Sequence, residues 1–142
     1  MIYKRLNINN SIIFVLLILN MQRGKDSVRI LKPNELVNGE LSIKGLCILL
    51  VHASWCGYCI KFMPDYHKVS DKAKNANLET IFCKLESNEQ SKNAISAFNR
   101  AHPEYEITGF PTVLLFKHGK PISVYKGSRD PESFFKFVKS LR

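Results

Sequence analysis

Residues 46–53 read LCILLVHA, an apolar run broken only by His52 and bounded by Gly45 and Ser54. The run has a strand's length and falls short of the ten to twelve residues that a buried helix needs. A strand with one wet face alternates apolar and polar side chains, and this one offers water nothing on either side. It therefore has to lie inside a partly parallel sheet with helices packed over both faces. Any fold for this chain must supply that double cover.

The flanking sequence supplies candidates. "VRIL", from Val28, reads as a strand, and Pro33 followed by "NELVNG" predicts a short helix ended by Gly39. After Cys56 the apolar positions Cys59, Phe62, Met63, Tyr66 and Val69 recur at helical spacing, which predicts a helix over 56–75. Pro64 inside it predicts a kink near Ile60–Lys61, because proline removes a backbone hydrogen bond. "TIFCKL" (80–85) reads as a strand and 89–101 as a helix with Ile95 and Phe98 on one face. "TVLLFK" (112–117) and "ISVYK" (122–126) flank "HGKP", the signal of an antiparallel hairpin. Asp130 then caps a last helix, with Pro131 at its first position and an apolar stripe of Phe134, Phe137, Val138 and Leu141. The order βαβαβαββα implies an α/β fold, a mixed central sheet flanked by helices on both faces. One domain accounts for residues 26–142, behind an N-terminal extension of residues 1–25.

The charge of +9 is uneven: residues 1–32 hold six Lys/Arg against one acid, so +5 lies there and +4 in residues 33–142. No run of five basic residues and no basic stripe interleaved with aromatics points to nucleic acid. The extension begins with Lys4 and Arg5, is apolar from Ile12 to Leu19 and returns to Arg23 and Lys25. As a helix that core spans about 12 Å, well short of the ~20 residues that cross a bilayer. A basic start and a short apolar core suit a secretory signal, but Asn20–Arg23 offers no pair of small residues for cleavage. A signal peptide, an anchor giving membrane association through residues 11–21, and an element packed on the domain all stay open.

Two of the four cysteines, Cys47 and Cys83, sit within apolar runs and read as inert core residues. The other two form "SWCGYC", Ser54 to Cys59, a spacing that fits a redox couple, half a metal site or two small buried residues. A strand ending at Ser54 and a helix starting near Cys56 put the first thiol at a helix N-terminus. Free N–H groups and the helix dipole there favour a thiolate. Cys59, one turn deeper, is placed as the shielded partner. A metal centre would need a second ligand pair, which the sequence lacks, so no metal is expected. "TGFPT" (108–112) puts Pro111 at the head of a strand, where it cannot donate to the ladder and can adopt the cis form. If that strand neighbours 46–53, Pro111 faces the cysteines, and an extended chain could bind alongside. His67, His102 and His118 read as surface residues.

With "WCGYC", Pro64, "CKLE", "GFPTVLLFKHG" and "YKGSRDPESFFKFV", residues 28–142 resemble a thioredoxin-fold domain, most nearly the active domains of protein disulfide isomerases. The resemblance implies a protein-disulfide oxidoreductase that needs no cofactor. In it Cys56 is the exposed nucleophile, Cys59 the resolving thiol paired with it in a disulfide, and Pro111 a cis proline at the substrate. Trp55, Gly57, Tyr58 and Phe110 complete the docking surface, and Lys84 matches a family lysine beneath the site. The implied partners are proteins with thiols or disulfides and a reductase, oxidase or glutathione. The favoured location is the secretory pathway, the ER lumen or a membrane surface, with cytoplasm or a virus particle as alternatives.

The chain departs from that family in three places. Leu50 stands where the family keeps a buried carboxylate, which leaves His52 as the nearest titratable group on the strand for proton transfer. Gly57-Tyr58 replaces Gly-His or Gly-Pro, and the segment "SKNAISAFNRAHPEYE" is longer than a minimal domain needs. Leu50 keeps alive a second function, an interaction module that holds the fold with weakened turnover. A metal-binding protein is the third.

Overall fold

The computed structural model describes residues 10–18 and 27–141. The basic residues of the extension and its cleavage region lie outside them. Residues 10–18 are helical (α1) and solvent-exposed, with Phe14 at 65%. Among the described residues no helix is long and apolar enough to cross a membrane.

Seven strands follow: β1 (Val28–Ile30), β2 (Leu36–Val37), β3 (Glu40–Leu41), β4 (Leu46–His52), β5 (Ile81–Glu86), β6 (Thr112–Lys117) and β7 (Lys120–Val124). Three helices join them: α2 (Gly57–Asn75), α3 (Lys92–Ala101) and α4 (Pro131–Ser140). The main sheet runs β1-β5-β4-β6-β7, with β1, β5 and β4 parallel and the last two pairings antiparallel. β4 is central and Cys47 to Val51 are wholly buried, the double cover that the apolar run demanded.

Alternate residues of β4 serve the two faces. Cys47, Leu49 and Val51 pack beneath α3 with Ile95 and Phe98. Ile48 and Leu50 face α2 and α4, among Phe62, Tyr66, Phe82 and Phe134. The Tyr66 hydroxyl lies 2.9 Å from the Ile48 carbonyl and 2.8 Å from that of Cys83, tying α2 to two strands at once. Its ring stacks on Phe134, with centroids 5.8 Å apart. α2 runs on through Pro64.

The segment after Pro33 is not the expected helix. A single 3-10 turn, Pro33–Glu35, gives way to the β2–β3 hairpin. Asn38 and Gly39 both take positive φ (52° and 80°), the pairing that a tight two-residue hairpin turn requires. A side chain at Gly39 would meet the His102 ring at 2.7 Å, so only glycine fits. The Asp130 cap forms, its carboxylate accepting from the Ser133 N–H at 2.9 Å. The outer strands are short or interrupted. β1 has three residues, while β7 contains Pro121 and pairs with β6 through a register shift at Leu115/Phe116.

Candidate active site: a thiol pair where strand meets helix

β4 ends at His52, the chain turns through Ala53–Trp55, and α2 begins at Gly57 with Cys56 as its cap residue. The Cys56 backbone is extended and its sulfur accepts the Cys59 N–H at 3.2 Å. Sulfur thus does the work that an oxygen does at ordinary helix caps, where a free N–H needs an acceptor. Opposite it, the Cys56 thiol reaches the Phe110 carbonyl at 3.5 Å, and the Phe110–Pro111 bond is cis. β6 pairs antiparallel with β4, Thr112 opposite Val51, which carries buried Pro111 to the thiols.

Both cysteines are free thiols in the structure. Cys56 is not the exposed residue expected: 6% of it is open to solvent, against 1% of Cys59, because Phe110 packs over both. It remains the more accessible of the two. The Cys59 thiol, hydrogen-bonding to Cys56, holds the Cys56 thiol below its ordinary range; the N–H groups of Cys59 and Tyr58 and the Arg129 charge act the same way against burial. Burial, followed by that same hydrogen bond, pushes Cys59 up to about 11. The pair is therefore asymmetric, with one sulfur poised to ionise and the other held protonated.

Around the thiols lies a collar of apolar surface. Trp55 is 76% exposed and meets the Phe110 ring edge-on at 5.9 Å, and Tyr58 stands out at 72%. Gly57 leaves open space above the first turn of α2, as Gly109 does before Phe110.

Behind Cys59 a cavity of about 390 Å³ is lined by His52, Ala53, Ile60, Met63 and His67, with the cysteine in its wall. Burial lowers the pKa of both histidines, opposed by the Glu86 carboxylate at His52 and by Asp71 at His67, with the Lys84 charge acting in the direction of burial at each. Lys84 Nζ lies 3.1 Å from His67 Nε2, so His67 is part of this cluster and not a simple surface residue. Leu50 is wholly buried between Lys84 on β5 and Val113 on β6, an aliphatic side chain in an aromatic core. His102 also departs from its surface reading, packing against Phe98 and Tyr105. His118 accepts the Gly45 N–H at 3.1 Å from the hairpin tip.

Sequence reasoning missed Arg129. Its charge reaches both thiols from the loop before α4, and it lines a second cavity with Tyr58 and Lys61. The only local sign was a cation just ahead of the Asp130-Pro131 helix start.

A family model described as Thioredoxin matches residues 31–140. Curated relatives include protein disulfide-isomerases of Ricinus communis, 30% identical over 62% of this chain, and of Saccharomyces cerevisiae, 32% identical over 65%. The chain spans about a sixth of the length of these relatives, 17% and 16%. Among solved structures, the first thioredoxin domain of mouse protein disulfide-isomerase A4 superposes with a TM-score of 0.61 at 24% identity, over 80% of this chain and 74% of that one. Malassezia sympodialis thioredoxin gives 0.55 at 24% identity, over 79% and 88%. These two likenesses speak to the fold, which is the one built above from the sheet order and the helices on both faces. With the family match running from the end of β1 through α4, the chain belongs to the thioredoxin family.

Proposed function

We propose that the chain is a thiol–disulfide oxidoreductase for protein cysteines, with Cys56 as nucleophile and Cys59 as resolving thiol. The observation that carries the reading is the asymmetric pair: a sulfur capping α2, fed by the Cys59 N–H, beside a second sulfur held protonated. The Cys56 thiolate attacks a substrate disulfide and expels one substrate thiolate. Cys59 then loses its proton and attacks the Cys56 sulfur of the mixed disulfide, releasing the second thiolate and leaving Cys56–Cys59 oxidised. Supplied oxidised, the pair runs the same steps in reverse. Trp55, Gly57, Tyr58, Phe110 and Pro111 form the docking surface, and a reductase, an oxidase or glutathione resets the pair.

Cys59→Ser tests this directly. Its mixed disulfides with disulfide-bearing clients should accumulate on non-reducing gels and vanish on reduction. Absence of such adducts above the level of Cys56→Ser would sink the proposal.

The cavity behind Cys59 gives the proton a way out in place of the acid that Leu50 replaces. His52, kept neutral by its surroundings, is the base, with Glu86 and Lys84 facing it from β5 and His67 from α2. We expect His52→Leu to slow resolution about a hundredfold at pH 7, the lower end of the range for a lost general base. The defect should shrink as pH rises towards 11, where Cys59 ionises unaided. A uniform defect at all pH values would assign His52 a packing role instead.

Leu50 also supports a second reading, a client-binding module with weakened turnover. On that reading Cys59→Ser still traps clients while the unsubstituted chain shows no catalytic exchange. For location, the names of the matched isomerases and the basic, apolar residues 1–25 support the secretory pathway, with the extension as signal or anchor.

A further inference from the structure

Two sulfurs that this reaction does not use lie side by side inside the sheet. Cys47 on β4 and Cys83 on β5 are each wholly buried, and the Cys47 thiol hydrogen-bonds to the Cys83 sulfur at 3.6 Å. The strands are parallel neighbours with Cys83 opposite Leu49, so the two side chains meet on a diagonal beneath α3. A core position needs only apolar volume, and nothing in packing alone requires two thiols to meet there. The Cys47 hydrogen bond lowers the Cys83 pKa, aided by Arg29 opposite Cys83 on β1.

We propose that Cys47 and Cys83 are a second redox couple, closed to a disulfide that joins β4 to β5 when the chain folds in the presence of a small disulfide such as glutathione disulfide. One of the two cysteines, ionised while still open to solvent, attacks one glutathione sulfur and expels a glutathione thiolate. The other gives its proton to solvent and attacks the first cysteine's sulfur, expelling the second glutathione thiolate. Two protein thiols lose two protons and two electrons, and one glutathione disulfide becomes two glutathiones. Diagonal neighbours lie about 7–8 Å apart at Cα, at the outer edge of what a disulfide spans, so closure to about 2.05 Å takes rotation of both side chains and a drawing together of the two backbones before the sheet is locked.

Burial sets the timing. The two cysteines are 36 residues apart in the chain, and Ile95 and Phe98 of α3 cover them once the sheet is complete. Exchange therefore happens before that cover closes, and afterwards neither oxidant nor reductant reaches the pair. Cys56–Cys59 turns over at the rim, whereas Cys47–Cys83 keeps the state in which the chain folded. This inference does not depend on the catalytic reading.

The test uses the Cys56→Ser/Cys59→Ser chain, in which Cys47 and Cys83 are the remaining thiols. It is unfolded, refolded in glutathione disulfide, denatured again with iodoacetamide and weighed. The expected product carries no alkyl group and is about 2 Da lighter than the reduced chain, consistent with loss of two hydrogens. Trypsin should then yield peptide 45–61 joined to peptide 75–84. Material folded first and treated afterwards should retain both thiols. Two alkylated cysteines after oxidative refolding, or glutathione adducts without the joined peptides, overturn the proposal. If the double variant does not refold, the unsubstituted chain is used, with fragmentation to locate the partner of Cys83; Cys83 left alkylated, or joined to Cys56 or Cys59 instead of Cys47, again overturns it.

Discussion

Cys56→Ser is expected to remove disulfide exchange, lowering the protein-dependent part of insulin reduction, above that of dithiothreitol alone, by about 10³-fold or more, the scale on which loss of an activated nucleophile is felt. A hydroxyl at this position can still accept the Cys59 N–H and cap α2. The fold and its thermal stability should therefore survive, and the loss should be confined to chemistry. That separation is what makes the experiment decisive. If Cys56→Ser retains a tenth or more of the activity, the nucleophile lies elsewhere. Cys59→Ser should behave differently, keeping the first attack and losing release, so that its product is the trapped adduct rather than a silent enzyme.

The largest effect on stability should come from Phe134→Ala. Phe134 is wholly buried and its ring meets those of Phe62, Tyr66, Phe82, Tyr125 and Phe137. Truncation opens a cavity where α4 crosses α2, and such losses cost about 3–5 kcal/mol. Against a typical domain stability of about 5–15 kcal/mol, urea unfolding should show a clearly lowered midpoint. Phe134→Leu, which keeps much of the volume, should lose less. A change below about 1 kcal/mol for the alanine variant would mean that the aromatic cluster closes over the gap, contrary to the limited relaxation of packed cores. Function should also feel the change, because Phe134 anchors the helix whose preceding loop holds Arg129 towards the thiols.

The parts of this fold that could be read in advance are those with local causes. The apolar run 46–53 has a single polar position, His52 near its end, so burial of the rest on both faces was forced. Asp130-Pro131 starts a helix by its own geometry, and His118-Gly119 makes a turn by both residues accepting positive φ. What escaped notice depends on neighbours distant in sequence. "PNELVNG" suits a helix until the hairpin is set against β7 and His102, and the Leu41 N–H donates to the Gly119 carbonyl. α3 starts at Lys92, not 89, because Asn88 and Ser91 tie residues 88–91 into a turn of their own. Arg129, His67 and the meeting of Cys47 with Cys83 share one cause. Each is fixed by register or by where a loop lands, and no pattern along a single segment records either.

The outer strands matter beyond the sheet itself. A protein proposed to handle extended, partly folded clients exposes itself to being joined by them, since an open sheet margin is a template for any passing strand. Here one margin is only three residues long, and the other is broken by Pro121, which has no N–H to offer, and by a shift in pairing. An incoming chain finds no long row of backbone partners on either side. On the proposed function, clients would meet the chain at Pro111 and leave again without finding a strand to extend.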